Sequence, residues 1–175
     1  MISIRPQLII LSGLPGTGKT TIARHLSKQL GLCYLRVDCV EASFRQHDPD
    51  AGSEGEGYQA LIHLARENLN IGNSVLIDTV NPMHLTRSWF RELADTCNAC
   101  LYQFELKVKD IQLHRQRVEN RQSDLTGLKV PSWSDVCQRD YDAWDEAMDG
   151  PVSVIYTDDG MLALSQCLKI LQSPK

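Results

Sequence analysis

A glycine-rich stretch near the start of the chain holds the residues whose types and spacing most clearly indicate a chemical role. Positions 13–20 read GLPGTGKT, in which glycines at fixed intervals precede Lys19 and Thr20. The glycines allow the backbone to curl until several N–H groups point into one concavity, which then binds anions. A lysine at this spacing reaches the β- and γ-phosphates of a nucleoside triphosphate, and the threonine hydroxyl can ligate Mg²⁺. The residues predicted to hold the nucleotide phosphates are Gly13, Leu14, Pro15, Gly16, Thr17, Gly18, Lys19, Thr20 and Thr21.

Two aspartates follow apolar runs, where a carboxylate would lie at the ligand-binding edge of a parallel sheet. Asp78 ends the run VLID and is predicted to hold Mg²⁺ opposite Thr20; a turn or helix-cap residue is the alternative. Asp38 follows CYLRV and is predicted to accept the proton of an acceptor hydroxyl, with Glu41 as a second contact. A cap on the helix that begins near Cys39 is the alternative for Asp38.

Arginine is frequent in a predicted helix over residues 110–122. Arg117 and Arg121 are four residues apart and are predicted to share one face of that helix. Arginines that close over a triphosphate stabilise charge on the transferring phosphoryl group and exclude water. Both arginines are therefore predicted to be catalytic, and Arg117 also to contact the nucleotide. The alternative is a solvated helix face paired with Glu119 and Asp124.

Short apolar runs alternate with amphipathic stretches, which indicates a parallel sheet flanked by helices on both faces. The predicted strands cover 8–12, 33–37, 74–77, 99–108 and 152–156. The predicted helices cover 19–30, 39–46, about 58–71, about 82–97, 110–122, about 134–148 and 161–171. We expect one α/β domain over residues 1–175, with a lid at about 110–132.

The segment at 48–57, DPDAGSEGEG, reads as a loop. It lies between Asp38 and the following helix, where an acceptor would bind. A solvated connection and a contact with the acceptor both fit this sequence, so the two interpretations stay open.

Composition and charge restrict the classes of function. Of the 175 residues, 42% are hydrophobic and 23% are charged, as is typical of a soluble globular protein. The formal net charge of −4 gives no overall basic character that would indicate a nucleic acid or an anionic membrane as partner. The first residues lack the pattern of a signal sequence, and no apolar run approaches the ~20 residues that span a bilayer. We therefore expect a cytoplasmic protein with no membrane partner.

The motifs together resemble those of small P-loop kinases. The resemblance is carried by GLPGTGKTT, VDCVE after the second strand, VLIDT followed by NP, the arginines at 87 and 91, and the pair at 117 and 121. The group is the one often described as AAA family ATPases, which includes chloramphenicol phosphotransferase-like, gluconate-kinase-like and polynucleotide-kinase-like proteins. The resemblance extends from Leu8 to about Asp158.

This resemblance implies a P-loop NTPase three-layer sandwich whose five-stranded parallel sheet has the order 2-3-1-4-5. It also implies that Asp38 contacts the acceptor hydroxyl and that Arg117 and Arg121 are lid arginines. The turn that contains Asp158 would lie near the adenine of the nucleotide.

The residues and the resemblance together predict an ATP-dependent kinase that uses Mg²⁺ and transfers the γ-phosphate to a hydroxyl of a small molecule. Two alternatives stay open. One is a polynucleotide 5′-hydroxyl kinase, which would need a basic groove. The other is a nucleotide-dependent switch or binding protein with slow hydrolysis. The sequence does not determine the acceptor, the preference for ATP over GTP, or the oligomeric state.

Overall fold

The computed structural model describes residues 5–47, 55–126 and 128–173. The five strands are β1 Gln7–Ser12, β2 Cys33–Arg36, β3 Val75–Asp78, β4 Cys100–Lys107 and β5 Ser153–Tyr156. The helices are α1 Lys19–Leu30, α2 Val37–His47, α3 Glu56–Asn70, α4 His84–Thr96, α5 Ile111–Glu119, α6 Trp133–Cys137, α7 Glu146–Asp149 and α8 Gly160–Gln172. Residues 48–54 of the predicted acidic loop lie outside the described residues.

The strands form one parallel sheet in the order β2-β3-β1-β4-β5, which confirms the predicted fold class and strand order. The register pairs Leu11 of β1 and Arg36 of β2 with Asp78 of β3. The carboxyl ends of these three strands are therefore level with one another. Residues that follow them meet at one edge of the sheet, as in other open α/β folds.

Helices cover both faces of the sheet because successive residues of a strand point to opposite sides. Leu8 and Ile10 of β1 lie in a buried cluster with residues of α3 and α4. Ile9 and Leu11 lie in a second buried cluster, with residues of α1 and α8. The three layers expected from the sequence are therefore present. Among the described residues, no helix has the length and apolar character that crossing a bilayer requires.

The predicted helix over 134–148 is wrong. The chain forms α6 at Trp133–Cys137 and α7 at Glu146–Asp149, and an irregular segment joins them. The cause is Arg87 on α4, which is fully buried and donates to the carbonyls of Asp142 (2.6 Å) and Ala143 (3.3 Å). A continuous helix would use these carbonyls for its own i to i+4 hydrogen bonds.

The same guanidinium pairs with the buried carboxylate of Asp149 at 2.8 Å and stacks over the ring of Trp144 at 4.2 Å. The irregular segment therefore supplies the partners that a buried arginine requires. The sequence does not indicate that Arg87 is buried, because its partners lie more than fifty residues further along the chain.

Smaller differences concern the ends of helices. The helix predicted over 110–122 covers only Ile111–Glu119, and Asp110 caps it by accepting from two backbone N–H groups. The helix predicted over about 82–97 begins at His84 and ends at Thr96. The first helix covers residues 19–30 as predicted, and Gly31 caps its carboxyl end.

Candidate functional site

The glycine-rich loop joins β1 to α1 and closes on itself. The carbonyl of Leu14 accepts hydrogen bonds from the hydroxyl of Thr17 (2.8 Å) and the ammonium of Lys19 (2.9 Å). Gly16 adopts a φ of +83°, and a Cβ there would lie 2.5 Å from Val118 of α5. Only glycine fits this position, because the backbone is left-handed and the loop packs directly against the next helix.

The amino end of α1 forms the floor of this loop. Its N-cap is Gly18, which provides no side-chain hydrogen bond, and no acidic residue lies in the first turn. The N–H groups at the start of a helix need partners, and they carry partial positive charge. An anion such as a phosphate group would satisfy both requirements.

Lys19 begins α1 and is almost completely buried, with 8% of its surface exposed. Burial lowers the pKa of its ammonium to about 8, and the nearby carboxylates of Asp78 and Asp38 oppose that shift. The protonated lysine is therefore a cation held in a site with little water. Such a charge acts more strongly on a phosphate than an exposed lysine would.

Thr20 and Asp78 lie together, as their predicted shared role requires. The Thr20 hydroxyl donates to Oδ2 of Asp78 at 2.7 Å, and the Tyr34 hydroxyl donates to the same oxygen at 3.0 Å. Asp78 is 3% exposed. These hard oxygen donors suit Mg²⁺, which takes one or two protein oxygens and completes its shell with waters and phosphate oxygens. The residues present therefore fit the ion that the fold implies.

Asp38 lies in the first turn of α2, next to the end of β2. Arg36 donates to Oδ2 of Asp38 from Nη2 (2.9 Å) and Nε (3.3 Å), and Nη2 of Arg121 lies 3.6 Å from the same oxygen. Oδ1 accepts no hydrogen bond from any described residue. Among the described residues, the carboxylate is thus fixed through Oδ2 alone.

Arg36 is a site residue that the sequence reasoning missed. Its side chain is 2% exposed, and it bridges Asp38 to Asp124, with Nη1 lying 3.0 and 2.9 Å from the two oxygens of Asp124. Asp124 also pairs with Arg24 of α1. The only signal in the sequence was a charged residue at the end of an apolar strand, two positions before Asp38.

Arg117 and Arg121 do not share a helix face, because α5 ends at Glu119. Arg117 donates to the carbonyls of Thr157 (2.9 Å) and Asp158 (3.3 Å) in the turn after β5. Arg121 instead approaches Asp38. The predicted lid therefore contacts the site at separate points, since Asp124 of the same segment pairs with Arg36.

The turn after β5 is tied to the glycine-rich loop. The Thr157 hydroxyl donates to the carbonyl of Thr17 at 2.8 Å. The Asp158 carboxylate accepts from the backbone N–H groups of Asp110 (2.9 Å) and Lys109 (3.1 Å), which lower the pKa of that carboxyl. The side chain of Asp158 is therefore committed to the β4–α5 connection.

His114 on α5 links the predicted lid to the glycine-rich loop. Its Nε2 lies 2.8 Å from the carbonyl of Pro15, and its ring meets the edge of Trp133 with centroids 5.1 Å apart. The sequence analysis gave His114 no role. Its burial at the loop depends on the packing of α5 against the loop at Gly16, which the sequence alone does not reveal.

Two cavities meet at Lys19, Thr20 and Arg121, which line both. The larger has a volume of about 720 Å³. Its other lining residues include Gly16, Gly18, Thr21, Arg24, Arg36, Arg117, Asp124, Thr157, Asp159, Met161 and Leu164. The smaller has a volume of about 440 Å³. Its other lining residues include Pro15, Asp38, Glu41, Arg45, Asp78, Val80, Lys129, Pro131 and Arg139.

The family described as AAA domain matches residues 8–138, which is most of the chain. The chain belongs to this family. The family match includes both predicted metal ligands and both predicted lid arginines. It ends before the turn after β5.

A curated relative, threonine synthase-like 1 of Mus musculus, is 26% identical over 129 residues. The match covers 70% of this chain but 17% of that protein. This chain therefore corresponds to a small part of the relative's length.

Several solved structures share the fold. A candidate kinase from Chloroflexus aurantiacus has a TM-score of 0.77 at 20% identity, with 98% of this chain and 100% of that chain covered. Kti12 of Chaetomium thermophilum in complex with ADP-AlF3 has a TM-score of 0.71 at 20% identity, with 94% and 96% covered. The Mycobacterium tuberculosis APS kinase CysC in complex with AMPPNP and APS has a TM-score of 0.67 at 18% identity, with 97% and 99% covered. The fold of this chain is thus that of P-loop kinases.

Proposed function

We propose that this protein is an ATP-dependent, Mg²⁺-dependent kinase that transfers the γ-phosphate to a hydroxyl group of a small molecule. The observation that carries the proposal is the pair of cavities that share Lys19 and Thr20. Phosphoryl transfer needs a donor on one side of the phosphates and an acceptor on the other, roughly in line. A protein that only binds or hydrolyses a nucleotide needs room for a water molecule, and the second cavity of about 440 Å³ is far larger.

The larger cavity would hold ATP. Its wall includes the amino end of α1 and Arg117, and the backbone N–H groups of the glycine-rich loop would bind the phosphates. Lys19 would neutralise charge on the β- and γ-phosphates, and Arg121 would do so from the acceptor side. Mg²⁺, held by Thr20 and Asp78, would supply further charge neutralisation when it is bound.

Asp38 would act on the acceptor. Its Oδ1 would take the proton of the acceptor hydroxyl. The oxygen of that hydroxyl would form a bond to the γ-phosphorus, while the bond between the γ-phosphorus and the oxygen that bridges it to the β-phosphate breaks. ADP leaves with the electrons of the broken bond. Arg36 would keep the carboxylate in position through Oδ2. A positioned base of this kind contributes about 10²- to 10⁴-fold to a rate.

The first test is transfer of labelled γ-phosphate from ATP to sugar acids, nucleosides, hydroxylated antibiotics and a 5′-hydroxyl oligonucleotide. Lys19→Ala serves as the blank. Label that appears on one class and disappears with Lys19→Ala supports a kinase and identifies its substrate. Tight ATP binding without transfer to any acceptor would favour the nucleotide-dependent switch.

Asp38→Asn tests the assigned base once an acceptor is known. We expect kcat to fall by about 10²- to 10⁴-fold while ATP binding is retained. Asp95→Asn, at an exposed aspartate on α4, is the matched control and should leave kcat unchanged. Full turnover by the folded Asp38→Asn variant would show that Asp38 is not the base.

A further inference from the structure

The smaller cavity contains more cationic than anionic side chains. Its cationic residues are Lys19, Arg45, Arg121, Lys129 and Arg139. Its anionic residues are Asp38, Glu41 and Asp78. The whole chain has a net charge of −4, so this excess of positive charge is a local property of the cavity. A local excess of this kind attracts an anionic ligand.

The three carboxylates of the cavity already have partners. Asp78 accepts from Thr20, and Asp38 is held by Arg36, as described above. Glu41 pairs with Arg45 at 3.4 Å, one helical turn away on α2. Oδ2 of Asp78 also lies 4.0 Å from Nε of Arg36, and Oδ2 of Asp38 lies 3.6 Å from Nη2 of Arg121. Among the described residues, none of the three carboxylates forms an ion pair with Lys129 or Arg139.

Two cations of the cavity have no such partner. Lys129 and Arg139 form no ion pair and no side-chain hydrogen bond with any residue in the part of the chain that the structure describes. Lys129 belongs to the predicted lid, and Arg139 follows the end of α6. Both side chains are exposed, and both line the same cavity as Lys19 and Glu41. Hydrogen bonds with Ser132 lower the pKa of the Asp135 carboxyl, and the charges of Lys129 and Arg139 lower it further.

We propose that the acceptor is a small hydroxylated molecule that carries a carboxylate or phosphate group. This inference rests on the proposed kinase function. The anionic group would bind Arg139 and Lys129, and the hydroxyl would face Oδ1 of Asp38. A cavity of about 440 Å³ lies in the range of small-ligand sites, and a planar guanidinium matches the two oxygens of either anion.

The experiment compares acceptors that differ mainly in charge. The pairs are gluconate with sorbitol, glycerol 3-phosphate with glycerol, and adenosine 3′-monophosphate with adenosine. A 5′-hydroxyl oligonucleotide is added as a polymeric source of phosphate. Phosphoryl transfer is measured as kcat/KM, and binding to the protein loaded with AMPPNP is measured by calorimetry. Ionic strength is held constant, because salt screens exposed charges.

The variants remove two charges at a time. Lys129→Gln/Arg139→Gln removes the proposed anion-binding pair. Lys28→Gln/Lys169→Gln removes the same charge from exposed positions on α1 and α8 and serves as the matched control. Loss of a charge-assisted contact should raise KM, or the calorimetric Kd, for the anionic acceptor by about 10- to 100-fold. ATP affinity without acceptor should stay the same, and the control should behave like the unmodified protein.

The outcomes separate this inference from the proposed function. Binding of an anionic member that is lost in Lys129→Gln/Arg139→Gln supports the inference, even if no phosphate is transferred and the kinase proposal fails. Transfer that favours neutral acceptors, or an unchanged KM in that variant, overturns the inference while a kinase remains. Binding of none of the anions also overturns it. Preference for the oligonucleotide over the monophosphate overturns the small-molecule acceptor.

Discussion

The buried ammonium of Lys19 should make nucleotide binding depend on pH in a narrow window. Burial lowers the pKa of this group to about 8 in the protein without nucleotide. Phosphates at the site would favour the charged form and return the pKa towards the ordinary value of about 10.4. Nucleotide binding therefore favours the protonated lysine, and affinity falls as the pH rises through about 8.

The size of the effect follows from these pKa values. Without nucleotide, about one tenth of Lys19 is deprotonated at pH 7 and about nine tenths at pH 9. With the bound-state pKa above ~10, the apparent affinity should be about tenfold weaker at pH 9 than at pH 7. Binding at pH 9 should take up about 0.9 proton per nucleotide, compared with about 0.1 at pH 7.

Calorimetry in buffers of different ionisation enthalpy measures both quantities. The control is Lys19→Arg, because arginine stays protonated throughout this range. Its affinity can differ at every pH, but its proton uptake between pH 7 and 9 should be close to zero. The reasoning is refuted if the unmodified protein takes up less than about 0.3 proton at pH 9. Equal uptake by Lys19→Arg would also refute it, since another group would then be titrating.

Two further predictions concern stability, and urea denaturation measures both. Gly16→Ala should lower the free energy of unfolding by about 1–3 kcal/mol or more, because the added Cβ would overlap Val118. Gly31 has a similar φ but nothing within 4 Å of an added Cβ, so Gly31→Ala should lower it by only about 1 kcal/mol. Equal losses in the two variants would contradict the packing argument. Arg87→Ala should lower the free energy of unfolding by about 3–5 kcal/mol, because it leaves the buried carboxylate of Asp149 without its arginine. Arg115→Ala removes the exposed ion pair with Glu119 and should lower it by less than about 1 kcal/mol. A loss under about 1 kcal/mol for Arg87→Ala would show that the irregular segment does not depend on it.

Local signals in the sequence were sufficient for the sheet and for the phosphate loop. The apolar runs that became β1 and β3 are buried on both faces, so their hydrophobicity is continuous and easy to identify. The loop motif depends on the spacing of a few glycines before Lys19, and this spacing is a property of consecutive residues. Helix ends were less accurate, because caps such as Asp110 compete with several nearby polar residues.

Contacts between distant residues decided the surroundings of Asp38. Arg36 was read as part of a strand, yet its guanidinium joins Asp38 to Asp124, which lies 88 residues further along the chain. The segment after α6 was predicted to be helical and is irregular because Arg87 donates hydrogen bonds to its carbonyls. Neither arrangement has a periodic signal.

The sequence by itself therefore determined the parallel α/β fold, the glycine-rich loop between β1 and α1, and the pairing of Thr20 with Asp78. These features follow from the hydrophobic period, from glycine spacing and from acids placed at strand ends, all of which are local. Only the tertiary structure decided which cations line the smaller cavity, which oxygen of Asp38 pairs with Arg36, and how deeply Lys19 is buried. Those properties arise from packing and desolvation, and they exist only when segments far apart in the chain are brought together.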